Sequence, residues 1–392
     1  MFSARGVTEL VRGASEHVGF LRAERSFLKN RLEELDQIPA QIEMALPVNR
    51  PSHVVVVPQE GADFESFAPG TRNFYYEAAQ TLREILGTES VSVFHVSPGE
   101  RPEDWHHRLI EFVGSVSATH LLGHVESDPG QIDASWTWDV LWSTLSAQWD
   151  GVLLGVMFDS SYKWLAAQSK LLARISNRFV LVDICMPMDG RMVRGRSEVG
   201  PVNMPISRES LTLLDQRLVG VVPQFDVSFI GAMYPYRVEL IKELCNQGVS
   251  VAVNPHRTDV AEDFESSRAD QPSWLDYMAG LASSRMTLNF SQSSAGRYYQ
   301  LKTRVLEAGL AGTLLLTDDQ DRTSRFFVTG QEYEYFSDIK ALPSMIVGFL
   351  SDQERLSQVS EAGSLRAREL APESFWSEIN GGLSRRKLCP IF

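Results

Sequence analysis

QLKTRVLEAGLAG, residues 300–312, runs directly into TLLLT at 313–317, and the reading of this junction decides the fold. Helical periodicity turns Leu301, Val305 and Leu306 toward a core and leaves Lys302, Arg304 and Glu307 to reach out of the helix's first turns. That set can hold a nucleoside diphosphate; an ordinary helix-to-strand turn with solvated charges accounts for the same residues. Gly309 and Gly312 are expected to end the helix, because glycine accepts the left-handed backbone of a helix C-terminus. The apolar run Thr313 to Thr317 then reads as a buried parallel strand.

On either side of the junction, short apolar runs alternate with helical patterns. DVSFI at 226–230, VSVAV at 249–253 and MTLNF at 286–290 precede it. Helical patterns at 339–350 and 353–370 follow, with a last segment at 374–379 after Pro372. The first half repeats the alternation: VVVV at 54–57, VSVFHV at 91–96, THLLGH at 119–124, VLLGVMFD at 152–159 and FVLVDI at 179–184. Alternation of this kind builds a parallel sheet covered by helices on both faces. The stretch 188–205 has little periodicity and several glycines and prolines, and reads as a linker. The expected fold is α/β, two Rossmann-like domains facing across a cleft. Its parts are a helical segment at 1–50, one domain at 51–205, a second at 206–371, and a crossover helix and tail at 372–392. In the first segment, Val11, Ala14, Val18, Leu21, Leu28, Leu32 and Leu35 mark a heptad-like seam, interrupted by Arg25 and ended by Pro39. A helix packed on its own chain and a coiled coil that makes a homo-oligomer both fit it.

Composition narrows the function. A chain of 392 residues with 43% hydrophobic content can bury two cores of ordinary size. A net charge of −13 opposes a general affinity for nucleic acid, so any anion site must be local. No run of apolar residues is long enough to span a membrane and MFSARGVTEL lacks a signal-peptide core, which predicts a cytoplasmic protein. Cys185, Cys245 and Cys389 have no paired spacing and are expected to be buried thiols rather than disulfide or zinc ligands.

Ligands of open α/β sheets bind beyond the carboxyl ends of the strands. In the second half those ends lead into GAMYPYR at 231–237, NPHR at 254–257 and SQSSAGR at 291–297. Phe229, Ile230 and Gly231 followed by a helix near Tyr236 make a strand, a tight turn and a helix N-terminus, where free N–H groups favour an anion. Arg237, Arg297, Lys302 and Arg304 could add positive charge to the same place; for each one singly, a surface salt bridge is the commoner explanation. The aspartates of TDDQD, 317–321, read as cap and turn residues rather than metal ligands. His106 and His107 read as a solvated helix face, there being no third zinc ligand in register.

FIGAMYPYRVELIKEL at 229–244, the run LNFSQSSAGRYYQLKTRVLEAGLAGTLLLTDDQDRTSRFFVTGQEYEYF at 288–336, and LSDQERLSQVSEAGSLRARE at 350–369 carry a family pattern. Over roughly Asp226 to Glu378 the chain resembles the C-terminal half of group 1 glycosyltransferases of the spore-maturation type. The resemblance implies a GT-B fold whose second domain binds a nucleotide-activated sugar and whose first binds the acceptor. It also implies that the final helix, around Phe375 and Trp376, crosses back to the first domain.

Carried over position by position, the resemblance makes Glu307 the acceptor of hydrogen bonds from the ribose hydroxyls, with Arg304 and Lys302 pairing the diphosphate. Gly231 and Arg237 match the strand-turn-helix that faces the phosphates and the reacting sugar, and Arg297 lies in the adjoining loop. Many relatives have an acid eight positions before the ribose glutamate, where this chain has Tyr299. The contact to the donor sugar, and the retaining stereochemistry that goes with a double glutamate, are therefore not carried over.

The implied donor is a UDP- or GDP-sugar, the acceptor a hydroxyl on a protein or glycan, and the group moved a hexosyl or N-acetylhexosaminyl unit. Positioned cations can neutralise the departing diphosphate without a metal. In the first half, Asp159 is the leading candidate for the base because relatives tend to carry an aspartate there, and His124 is the second; Glu60, Glu126 and Asp183 also stand at strand ends. A sugar-nucleotide epimerase or hydrolase, or a non-catalytic relative that binds glycan or protein, would share the architecture.

Overall fold

Val54 to Val57 are shielded from water on both faces, which a strand achieves only inside a helix-covered sheet. The computed structural model describes residues 26, 29–31, 33, 51–58, 66–125, 138–158, 163–186, 198–231, 235–253, 273–292 and 298–392. The first sheet contains β1 (Val54–Val57), β2 (Val91–Val93), β3 (His120–His124), β4 (Val152–Met157), β5 (Phe179–Asp183) and β6 (Glu198–Val199). All pairs are parallel, in the order β2-β1-β3-β4-β5-β6, with Val56 opposite Leu122 and Leu122 opposite Leu154.

Successive side chains of these strands enter opposite layers. Val54, Val56, Leu122 and Leu154 pack with α1 (Phe74–Leu86), while Val55, Val57, Leu121 and Leu153 pack with α2 (Pro102–Ser115), α3 (Trp138–Gln148) and α4 (Lys163–Ile175). The second sheet has β7 (Phe225–Phe229), β8 (Val251–Val253), β9 (Ser284–Asn289), β10 (Leu314–Thr317) and β11 (Glu334–Tyr335). Its order is β11-β10-β9-β7-β8, again parallel throughout. The helices around it are α5 (Arg208–Leu218), α6 (Pro235–Asn246), α7 (Trp274–Ala282), α8 (Arg304–Leu310) and α9 (Leu342–Ser351).

A last helix, α10 (Gln353–Arg385), joins the two cores. Ala367 and Ala371 pack with the second sheet's helices, whereas Phe375, Trp376, Ile379 and Leu383 pack against β1, β4 and α1 of the first. Two helices separated by Pro372 were expected; a single helix runs through it. Proline removes one backbone hydrogen bond, and burial of apolar side chains on both sides outweighs that loss. The indole of Trp376 also donates to Thr81 Oγ1 at 2.8 Å, tying α10 to α1.

Three further expectations are corrected. Gly309 lies inside α8 rather than ending it: a Cβ there would stand 2.6 Å from Ala367 Cβ and 2.7 Å from Gly363 O, so glycine permits the close approach of α8 and α10. Gly312, at φ +73°, does take the left-handed conformation. Cys245 and Cys389 are exposed and Cys185 half-buried, and none of the three forms a disulfide. His106 faces the core, with its ring 3.8 Å from Trp105, and burial lowers its pKa to about 3; only His107 sits on the exposed face, near Glu111.

The seam residues Val11 to Leu35 named above all lie outside the described residues, which in this segment are 26, 29–31 and 33. There Arg31 Nε donates to Asp139 Oδ2 at 2.5 Å, with both side chains buried. This contact joins the segment to α3 of its own chain.

Candidate functional site

Each sheet has its chain-order reversal between its first and third strands, so connections leave in opposite directions there and open a crevice. In the second sheet that point falls between β7 and β9. Beyond it stand Gly231, Arg237, Ser291 and the opening residues of α8.

The cations there are built around one ring. Arg304 lies 4.9 Å from the centroid of Phe229 and Arg237 lies 5.2 Å from it; Arg237 is also 5.5 Å from Phe290. The face of an aromatic ring attracts a guanidinium, so buried Phe229 fixes both charges at the strand end. Arg304 Nη2 donates to the carbonyl of Ile230, while its buried Nε has no partner among the described residues. Arg237 Nη2 donates to the carbonyl of Gln292 at 3.4 Å. Both guanidinium groups thus converge on Phe229 at the end of β7, one bonding the turn after β7 and the other the carbonyl of Gln292 beyond β9.

Glu307 is expected to reach outward, and it is instead buried. Tyr277 OH donates to its Oε2 at 3.1 Å and the Trp274 indole to its Oε1 at 3.4 Å. Burial and the carboxylate together raise the Tyr277 pKa, which keeps that hydroxyl a donor. The remaining partner comes from the first domain: Arg72 Nη2 forms an ion pair with Glu307 Oε1 at 3.0 Å and also donates to Thr303 Oγ1. Arg72 has a left-handed backbone (φ +63°) just before Asn73, whose Oδ1 caps α1 through the N–H groups of Tyr75 and Tyr76.

Sequence reasoning missed Arg72. It is a single cation in the turn GTRN, 231 positions from Thr303, and no local pattern reports that distance in space. A cleft runs along this contact, lined by Glu77 and Ile184 on one side, Asn203 and Met204 of the linker, and Lys302 and Trp274 on the other.

The helical reading of 300–303 is also corrected. Gln300 N donates to Ser291 O at 2.9 Å and Tyr299 bridges Gln292 in antiparallel fashion, so the chain is extended until Thr303 and the helix begins at Arg304. Lys302 therefore sits before the helix, with Nζ donating to Gln300 Oε1 at 3.0 Å. Tyr299 is exposed, and Arg297 lies outside the described residues.

The TDDQD aspartates hold loops. Asp318 accepts from Ser291 N at 3.2 Å and Ser291 Oγ at 2.5 Å, Asp319 from Ser324 N at 2.9 Å, and Asp321 from Thr323 Oγ1 at 2.7 Å. Burial raises the Asp321 pKa to about 6. Among the described residues, no group of three His, Cys, Asp or Glu could hold a metal ion.

On the first-domain side, His124 ends β3, buried, with its Nδ1 bonded to Tyr75 OH. Burial lowers its pKa to about 4, leaving a neutral imidazole at pH 7. Tyr75 lies in the opening turn of α1 and Arg72 just before its cap Asn73, so one helix start serves both His124 and Glu307. Asp183 is fully buried at the end of β5. Asp159, Glu60 and Glu126 lie outside the described residues, and Asp159 follows directly on Phe158, whose ring is 5.9 Å from His124.

Two solved structures share this architecture. Sucrose-phosphate synthase from Thermosynechococcus elongatus superposes with a TM-score of 0.53 at 12% identity, covering 86% of this chain and 98% of that one. Anabaena HepE, solved in complex with UDP-glucose, gives a TM-score of 0.51 at 12% identity, covering 85% of this chain and 99% of that one. The chain has the GT-B fold.

Residues 223–373, the second half of this GT-B fold, match the family model described as glycosyl transferase-like. That span contains β7 to β11 and every second-domain residue placed at the site above. No curated protein matches the sequence. Among the described residues, no helix of this GT-B chain is long and apolar enough to cross a membrane.

Proposed function

We propose that the chain is a glycosyltransferase that moves a sugar from a nucleoside diphosphate sugar to an acceptor hydroxyl. The observation that carries this reading is the pair of guanidinium groups, Arg304 and Arg237, held on Phe229 at the second sheet's switch point, beside buried Glu307. Two cations focused in a chain of net charge −13 suit a dianionic or trianionic leaving group. The family resemblance assigns Glu307 to the ribose diol, and the buried Nε of Arg304 has no partner among the described residues. The glycosyl transferase-like span covers this region, and the UDP-glucose bound by HepE makes a UDP-sugar the first donor to try.

In the transfer, the acceptor oxygen bonds to the anomeric carbon as the bond from that carbon to the β-phosphate oxygen breaks. The nucleoside diphosphate leaves with the electron pair, and Arg304, Arg237 and Lys302 offset its added charge. The acceptor proton passes to a base of the first domain, Asp159 or His124. His124 is neutral at pH 7, as a base must be, with Tyr75 holding the ring, but the burial that lowers its pKa also makes it a weak base. Acceptor-dependent release of UDP or GDP from the nucleotide sugar supports the reading. Interconversion of the free nucleotide sugar without acceptor would replace it with an epimerase, and binding without turnover would leave a binding module.

A further inference from the structure

The carboxylate assigned to the ribose is held by a cation from the other domain. A carboxylate offers about four lone-pair positions. Arg72, Trp274 and Tyr277 already address Glu307, and its side chain is only 3% exposed. A ribose diol needs both oxygens from the open side of the cleft, which is where Arg72 stands. The ion pair and the sugar therefore compete for Glu307.

We propose that Arg72 is a donor-binding residue contributed by the first domain, one that yields Glu307 to the ribose and passes to the diphosphate. This inference rests on the nucleotide-sugar reading above. Two observations and one physical argument direct it. Arg72 also bonds Thr303, which lies between Lys302 and Arg304, the two positions assigned to the diphosphate. Its side chain is 37% exposed and its guanidinium is 5.9 Å from the Tyr277 ring, so it can swing without leaving the cleft. A guanidinium displaced from its carboxylate gains most from another bidentate anion, and phosphate has the matching geometry. The exchange would also couple donor binding to α1, whose opening turn follows Arg72 and carries Tyr75 against His124.

The test is calorimetric titration of the full chain and of Arg72→Ala and Arg72→Lys with uridine and UDP, and with guanosine and GDP. The diphosphate improves binding over the nucleoside by some factor in the unsubstituted protein. Arg72→Ala should shrink that factor about 10-fold or more, the weight of one charge-assisted contact, while the nucleoside binds as well or better. Arg72→Lys, which keeps the charge, should retain part of the factor and guards against a misfolded alanine variant. If diphosphate and nucleoside affinities change in parallel, or neither changes, Arg72 has no diphosphate role and the inference fails alone. If the unsubstituted protein binds neither UDP nor GDP, the nucleotide-sugar reading fails and the inference goes with it.

Discussion

Arg304 Nη2 lies 2.7 Å from the position that a Cβ on Gly231 would occupy, and it donates to the neighbouring carbonyl of Ile230. The absent side chain at Gly231 is therefore what lets the guanidinium sit at the turn beyond β7. Gly231→Ala should push Arg304 off this turn and weaken UDP or GDP binding by about 1–2 kcal/mol, the cost of one misaligned charged contact. The melting temperature should hardly move, since only a side-chain terminus has to shift. Unchanged nucleotide affinity in a calorimetric titration would detach Arg304 from the diphosphate.

Glu307→Ala should weaken nucleotide binding by roughly 1.5–3 kcal/mol, the range for hydrogen bonds to a charged group. The variant also leaves the Trp274 indole and Tyr277 hydroxyl without their acceptor, so some stability is lost too. Glu307→Gln keeps one acceptor oxygen for these two donors and leaves its amide N–H to donate to the Tyr277 oxygen, so it costs less stability and separates the two effects. Comparing ribose with 2′,3′-dideoxyribose nucleotides completes the test: the loss should vanish for the dideoxy ligand.

His124 makes stability depend on pH. Its pKa falls from 6.5 in the unfolded chain to about 4 in the fold, through burial. The contribution is thus complete above pH 6.5 and disappears as pH falls from there through 4, amounting to about 3 kcal/mol if the burial holds. His106, lowered to about 3, adds a slope of the same sign, whereas Asp321, raised to about 6, opposes it by binding its proton more readily in the fold. Urea unfolding of His124→Gln and the unsubstituted chain at several pH values isolates the His124 share, and parallel curves between pH 7 and 4 would refute it.

Trp376 is fully buried against the first sheet although α10 begins in the second domain's core. Trp376→Ala should cost about 3–5 kcal/mol through the cavity and the Thr81 bond it removes. Denaturant unfolding followed by circular dichroism measures this, and a loss under 1 kcal/mol would show that the helix is not a strut between the cores.

The strands were legible because burial on both faces leaves an uninterrupted apolar run: VVVV at 54–57 is the whole of β1. Arg304 and Arg237 were legible because strand ends are few and a cation there is conspicuous. Helix boundaries were harder. The extended backbone of 300–303 comes from a bond to Ser291, and the continuity of α10 through Pro372 comes from packing on two cores; neither has a local signature. His106 shows the same limit, since its polar neighbour His107 hides which of the two faces inward. The most consequential omission, Arg72, is a long-range partner that becomes visible only when the domains are placed together.

In the proposed reaction the cations on Phe229 hold the diphosphate of a sugar nucleotide. Calorimetric titration of UDP and GDP into the unsubstituted chain and into Arg304→Ala tests it most directly. One nucleotide should bind per chain, with a loss of about 10-fold or more in affinity for the variant. Failure of both nucleotides to bind, or equal affinity in the two proteins, would contradict it.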